Sequence, residues 1–223
     1  MLRSSFASGH SHAVTVVRIL SQQLVTGSTD ETLRVISSDR GKVVHVLKGH
    51  LYPITALDLC KNGKGQSDAK VMSADESGEI RLWTLTSGRC QFILREKFEN
   101  EVETIRLTQS DPIANVWPTK NLLLAVTASG RLLVWTHRSG HFRHALALGR
   151  STQGAGVLFG DHFIVLAVDQ SVVMLDLRVK KEKLRLEHIP IQSGDERNAF
   201  AQTPKHIYLF DQEITVDEAQ GRV

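Results

Sequence analysis

The sequence predicts an all-β chain, and three observations carry that prediction. Nearly every segment alternates with a period of two or runs briefly apolar. Turn residues return about every 8 to 12 positions. No window of about 11 residues or more keeps an apolar stripe of helical period.

In chain order, AVTVVRIL (13–20), QLVTGS (23–28), TLRVIS (32–37) and KVVHVL (42–47) read as four strands with polar turns between them. ITALDLC, EIRLWTL, LLLAVTA, RLLVWTH, FIVLAV and SVVMLDL continue the pattern. VKKEKLRLEH (179–188) has a helical composition, yet alternates as KLRLEHI and is expected to be a strand with a charged lead-in. Strand-like segments follow at 197–202, 206–210 and 213–217.

At 223 residues, 41% hydrophobic and 23% charged, the chain has the composition of a soluble globular protein. No apolar run reaches the roughly 18 residues that span a bilayer, and MLRSSFASGH has no apolar segment of the secretory kind. The formal charge of +3, from 27 basic and 24 acidic residues, does not argue for a nucleic-acid partner. Cys60 and Cys90 are too few for a disulfide framework or a structural zinc site; both are expected as buried thiols of an intracellular protein, cytoplasmic or nuclear. Walker loops, strand-to-helix GxGxxG turns and HExxH helices are absent, so no cofactor, metal or catalytic residue is expected. His137, His141 and His144 crowd THRSGHFRH without a zinc spacing, and are expected in a solvated turn around Gly140. The run 178–183 is expected to be a solvated connection rather than a phosphate-contacting loop.

A repeat organises the strands. Gly9-His10 and Gly49-His50 are 40 residues apart, and each is followed by the same apolar spacing. TGSTDETLRVIS (26–37), SADESGEIRLWT (73–84), TASGRLLVWTH (127–137) and VDQSVVMLDL (168–177) share one hairpin plan. Their closing apolar residues, Ile36, Trp83, Trp135 and Leu175, are spaced by 47, 52 and 40 residues. KNGKGQSDA (61–69) and SDPIANVWPTKN (110–121) are expected to be insertion loops between the first and second strands of their repeats.

On these residues the chain resembles the WD40-repeat family of β-propellers, through the GH dipeptides, the period, the Asp-containing turn and the closing tryptophan. The resemblance spans about residues 9–190. It implies four clear blades (9–48, 49–98, 99–149 and 150–190), a lead-in or latch strand at 1–8, and a degenerate fifth repeat or tail at 191–223. Such propellers commonly close with seven blades, so the ring is expected to be incomplete in this chain. A fragment or short isoform is favoured over a ring completed by another chain or a small closed ring.

The resemblance further implies a structural network of His10, Ser28, Asp30, His50, Trp83, Trp135 and Asp169. Ser77 stands where the second repeat's turn aspartate would be, so that blade's network is expected to be weaker. A hydrolase reading of Ser28, His10 and Asp30 lacks a cleft and an oxyanion donor pair. Thr29, Glu31, Asp75, Glu76, Ser129 and Gln170 are expected on a partner-binding rim. The function implied is a non-catalytic scaffold for protein–protein interaction in a multi-subunit complex, for example a ubiquitin-ligase substrate receptor or signalling adaptor. An RNA- or chromatin-associated subunit is the alternative, motivated by Lys61, Lys64, Lys70 and the 178–183 run.

Overall fold

A computed structural model describes residues 9–61, 69–95 and 111–148, together with seven further strands between 156 and 215. Among the described residues every regular element is a strand, and no helix is long and apolar enough to cross a membrane. The fold is all-β, built from separate small antiparallel sheets as the propeller resemblance implies.

The first sheet is β1 (Val14–Leu20), β2 (Gln23–Ser28), β3 (Leu33–Ser37) and β4 (Lys42–Leu47), antiparallel and in sequence order. The second is β5 (Ile54–Lys61), β6 (Ala69–Asp75), β7 (Ile80–Thr84) and β8 (Arg89–Leu94). The third is β9 (Ile113–Pro118), β10 (Leu122–Thr127), β11 (Arg131–Thr136) and β12 (Phe142–Ala147). These lie in one compact unit, Met1–Ala147. The other unit, Leu148–Val223, holds β13 (Gly156–Phe159), β14 (Phe163–Val168), β15 (Ser171–Asp176) and β16 (Glu187–Pro190) as a fourth four-stranded sheet. It also holds a three-stranded sheet of β17 (Phe200–Gln202), β18 (His206–Leu209) and β19 (Gln212–Thr215).

Register makes the repeat concrete. Ile36 pairs with Leu24, Trp83 with Val71, Trp135 with Leu123 and Leu175 with Ile164, the same place in four sheets. A bulge immediately precedes this residue against the fourth strand in each of the first three sheets, at Val35/Ile36, Leu82/Trp83 and Val134/Trp135. An extra residue there sharpens the strand twist at the same step each time.

The hairpin from third to fourth strand also repeats. Gly41, Gly88 and Gly140 take φ of 60°, 66° and 65°, and each donates its amide to the carbonyl four residues back. Glycine alone enters this left-handed region without a Cβ penalty. A Cβ on Gly140 would also stand 2.8 Å from Phe92 of the preceding blade, whereas one on Gly41 would meet nothing within 4 Å.

Among the described residues, two apolar cores bind neighbouring blades. Val25, Leu33, Val35 and Leu47 of the first sheet pack with Ile54, Leu57, Val71 and Trp83 of the second. On its other face the second sheet sets Met72, Ile80, Leu82 and Leu94 against Val116, Leu123, Leu133 and Trp135 of the third. Because successive side chains point to opposite faces, a strand buried on both sides is apolar throughout, as VMSA in β6 is nearly so. Hydroxyls add a second tie: Thr15 Oγ1 donates to Ile54 O at 2.6 Å, and Thr55 Oγ1 to Ile113 O at 3.2 Å.

Two sequence expectations are corrected. Residues 110–121 are no insertion loop, for Ile113–Pro118 is the first strand of the third blade. Its prolines, Pro112 and Pro118, mimic a loop signature but are tolerated because β9 is an edge strand, where a missing N–H breaks no central ladder. Lys61 and Ala69 are strand residues bounding 62–68, which with 177–186 lie outside the described residues. Cys60 is buried as expected, but Cys90 is exposed on the edge strand β8.

Candidate functional site

The two GH histidines reach the turns between second and third strands. His10 Nδ1 lies 2.9 Å from Asp30 Oδ2, and its Nε2 is 2.7 Å from Thr26 Oγ1. With Nδ1 facing a carboxylate, that nitrogen carries the donated proton and Nε2 accepts from Thr26. Asp30 also accepts from the Ser11 and Thr32 amides and from Thr32 Oγ1 at 2.6 Å. Burial alone would raise the Asp30 pKa, but the bonds from Thr32, His10 and Ser11 outweigh it and hold the carboxyl well below its usual range. Ser28 Oγ accepts the Asp30 amide at 3.0 Å and donates to His12 O. It thus braces the turn, while the hydroxyl on the imidazole is that of Thr26.

In the second blade the chain of bonds is longer. Trp83 Nε1 donates to Ser73 Oγ, Ser73 lies 2.8 Å from His50 Nε2, and His50 Nδ1 donates to Asp75 Oδ2 at 2.8 Å. Asp75 Oδ1 accepts from the Ser77 amide and hydroxyl and from the Glu79 amide. The expectation that Asp75 is an exposed rim residue in a blade of weaker polar network is therefore corrected: Asp75 is 1% exposed and is itself the network acid. Register explains the substitution. Ser77 does align with Asp30, six residues before Trp83 as Asp30 is before Ile36, but Asp75 ends β6 two residues after Ser73 and so shares the face of the Ser73 hydroxyl. Burial would raise its pKa, and the bonds from His50 and Ser77 reverse this and lower it.

The third blade inverts the arrangement. Ser129 takes the turn-acid position, and its amide and hydroxyl both bond Asp111, which arrives from the segment leading into β9. Ala125 sits where Thr26 and Ser73 supply hydroxyls, and Trp135 Nε1 donates instead to Arg95 O at 3.2 Å. Trp135 is thus buried packing tied to backbone, outside any histidine network. Asp169 and Gln170 lie outside the described residues.

His50, Asp75 and Glu79 place ligand-type atoms within 4.8 Å of one another. Every one of those groups is committed: both imidazole nitrogens as above, and Glu79 to Arg81 Nε at 2.6 Å and to Arg95. Hydrogen bonds satisfy the cluster as they would any buried polar group. Gly49 has a separate reason for being glycine: at φ 145°, its missing Cβ leaves room for the Arg81 guanidinium, which lies 5.7 Å from the Trp83 ring.

The turns gather at one rim. The Thr29, Glu76 and Ala128 amides donate to the carbonyls of Ala13, Pro53 and Pro112, which docks each turn onto the loop entering its own blade. Glu31, Glu76 and Ser129 are exposed there and Thr29 is half-buried. Beside Glu76, Leu51 and Tyr52 are 73% and 51% exposed. Sequence reasoning missed this apolar pair; the signal was GHLYPIT, in which two large residues stand just before the strand begins. His137 departs from its expected solvated turn. It is buried, donates Nδ1–H to Thr119 O, and has its pKa pushed down by burial.

Residues 41–84 match the family model described as "WD domain, G-beta repeat". Residues 41–84 thus read as one WD40 repeat. Striatin of Mus musculus is 28% identical over 111 residues, covering 47% of this chain and 14% of striatin. The nuclear distribution protein nudF of Aspergillus niger is 24% identical over 142 residues, 62% of this chain and 29% of nudF. A bromodomain and WD repeat-containing protein of Dictyostelium discoideum is 25% identical over 130 residues, 58% of this chain and 6% of the relative. The matched part thus spans less than a third of each of these relatives. Among solved structures, the computationally designed Ika8 protein superposes with a TM-score of 0.69 at 19% identity, covering 90% of this chain and 56% of that one. This last likeness shows the fold alone.

Proposed function

We propose that this chain is a non-catalytic scaffold that docks other proteins through the rim carrying Thr29, Glu31, Leu51, Tyr52, Glu76 and Ser129. The observation that carries the reading is the exposed Leu51–Tyr52 pair beside Glu76, on loops pinned by backbone bonds to a stiff sheet. Large apolar and aromatic side chains on a rigid, polar-rimmed platform are the usual anchors of protein interfaces. Each polar cluster beneath the rim has a structural role: the His10 and His50 networks hold turn to loop. Membership in a multi-subunit complex, as a ubiquitin-ligase substrate receptor or signalling adaptor, is the finer form of the proposal.

Quantitative affinity capture with mass spectrometry tests it, comparing the intact chain with a Leu51→Ser/Tyr52→Ser/Glu76→Lys variant of unchanged melting temperature. Stoichiometric partners held by the parent should be lost from the variant. An identical partner set from both, or none from either, overturns the proposal.

A further inference from the structure

On the rim opposite the histidine-bearing loops, a cleft of about 690 Å³ opens where the second and third blades meet. Lys70, Lys120, Arg138 and Arg143 line it, with the side-chain amides of Gln91 and Asn121, and among the described residues no carboxylate lines it. Lys70 Nζ donates to two neutral groups, Gln91 Oε1 at 2.6 Å and Thr84 Oγ1 at 3.1 Å. Among the described residues, the Lys and Arg ion pairs to carboxylates are made by Arg18, Arg81 and Arg95, none of them in the cleft. Lys120, Arg138 and Arg143 are exposed around it, and four like charges facing one concavity give it a positive potential that attracts an anion. Buried His137 forms part of the wall, and both burial and the nearby Lys70 push its pKa down, as a cationic site would.

The shape selects among anions. The volume is that of a small-ligand pocket and exceeds what one phosphate ion fills. Among the described lining residues none is Phe, Tyr or Trp, the stacking platforms that hold single-stranded nucleic acid. Side-chain amides suit a peptide backbone, and the forked guanidinium groups of Arg138 and Arg143 suit phosphate oxygens.

We propose that this cleft binds a phosphorylated peptide segment, with Arg138 and Arg143 engaging the phosphate. The site stands apart from the docking rim and does not rest on it. Fluorescence anisotropy on the full chain provides the test, with a fluorescein-labelled, alanine-flanked phosphoserine heptapeptide, its unphosphorylated twin and a uridine dodecamer as probes. The phosphopeptide should bind at least about tenfold more tightly than its twin, and Arg138→Gln/Arg143→Gln should weaken it by about tenfold or more. Arg40→Gln, an exposed cation on the corresponding turn of the first blade, should leave binding unchanged, and both variants should melt like the parent. Three outcomes overturn the proposal: no phosphopeptide binding, tighter binding of the dodecamer, or displacement by inorganic phosphate at the same concentration as by unlabelled peptide.

Discussion

The second blade offers a test of where its network acid resides. Replacing Asp75 by serine strips the acceptor from the buried His50 N–H and from the Ser77 and Glu79 donors. An unsatisfied buried donor costs about 1–3 kcal/mol, and with a share for the partly exposed turn donors the expected loss is about 3 kcal/mol. Ser77→Asp should also destabilise, though alignment alone suggests the reverse. Ser77 Oγ lies 2.6 Å from Asp75 Oδ1, so a second carboxylate would start beside the first. At about 4 Å and an effective dielectric of 20, two such charges repel by about 4 kcal/mol, which rotation into solvent reduces to about 1–2 kcal/mol. The double variant Asp75→Ser/Ser77→Asp recreates the first blade's Ser28-Thr29-Asp30 order and should return to within about 1 kcal/mol of the parent. Urea unfolding followed by tryptophan fluorescence reads this cleanly. The chain's three tryptophans, Trp83, Trp117 and Trp135, all lie in the Met1–Ala147 unit, so the signal reports that unit alone. The gap between parent and Asp75→Ser should also narrow in acid. A carboxyl whose folded pKa is lowered contributes stability above its unfolded value near 3.9, and loses it as pH falls through the folded pKa. A stabilising Ser77→Asp, or a double variant as unstable as the sum of the singles, would refute the reasoning.

Three further outcomes are expected. Glu31 takes φ 66° at the turn position where Gly78 and Gly130 take 85° and 86°, so Glu31→Gly should raise the urea midpoint, by about 0.5–1 kcal/mol in stability. Gly41→Ala should cost about 1 kcal/mol for its left-handed backbone alone, whereas Gly140→Ala should cost about 1–3 kcal/mol more, because its Cβ meets Phe92; equal losses would show that the contact relaxes freely. For His137, the folded pKa is lowered, so the unfolded chain binds the proton first. Its stabilisation is complete above about pH 6.5 and drains away below it, and His137→Gln should flatten stability between pH 7 and 5 relative to the parent.

Patterns local to the chain were legible in the sequence. Ile36, Trp83, Trp135 and Leu175, which close the four sequence repeats, occupy one register position because period-two alternation fixes which residues face inward. Asp75 was misread for a related reason. Alignment locates a position, whereas the imidazole requires only a carboxylate within reach on the correct face, and two positions supply one. Ile113–Pro118 hid as a strand because proline's local preference is overridden at a sheet edge. Trp135 kept its packing role while its N–H found Arg95, a partner 40 residues away that no motif encodes. The basic cleft joins residues from 70 to 143, so its charge is dispersed along the chain and concentrated only in space.

The threonine ties between blades all point one way. Thr15 reaches forward to Ile54, Thr55 reaches forward to Ile113, and the next position in the series, residue 114, is alanine. A chain emerging N-terminus first from the ribosome brings out the four strands of its first blade before the carbonyl that latches them. That blade gains this bond only when the following strand is delivered, and the second blade waits in turn for the third. Spatial order around these blades is thus also an order of completion in time, fixed by the direction in which two hydroxyls point.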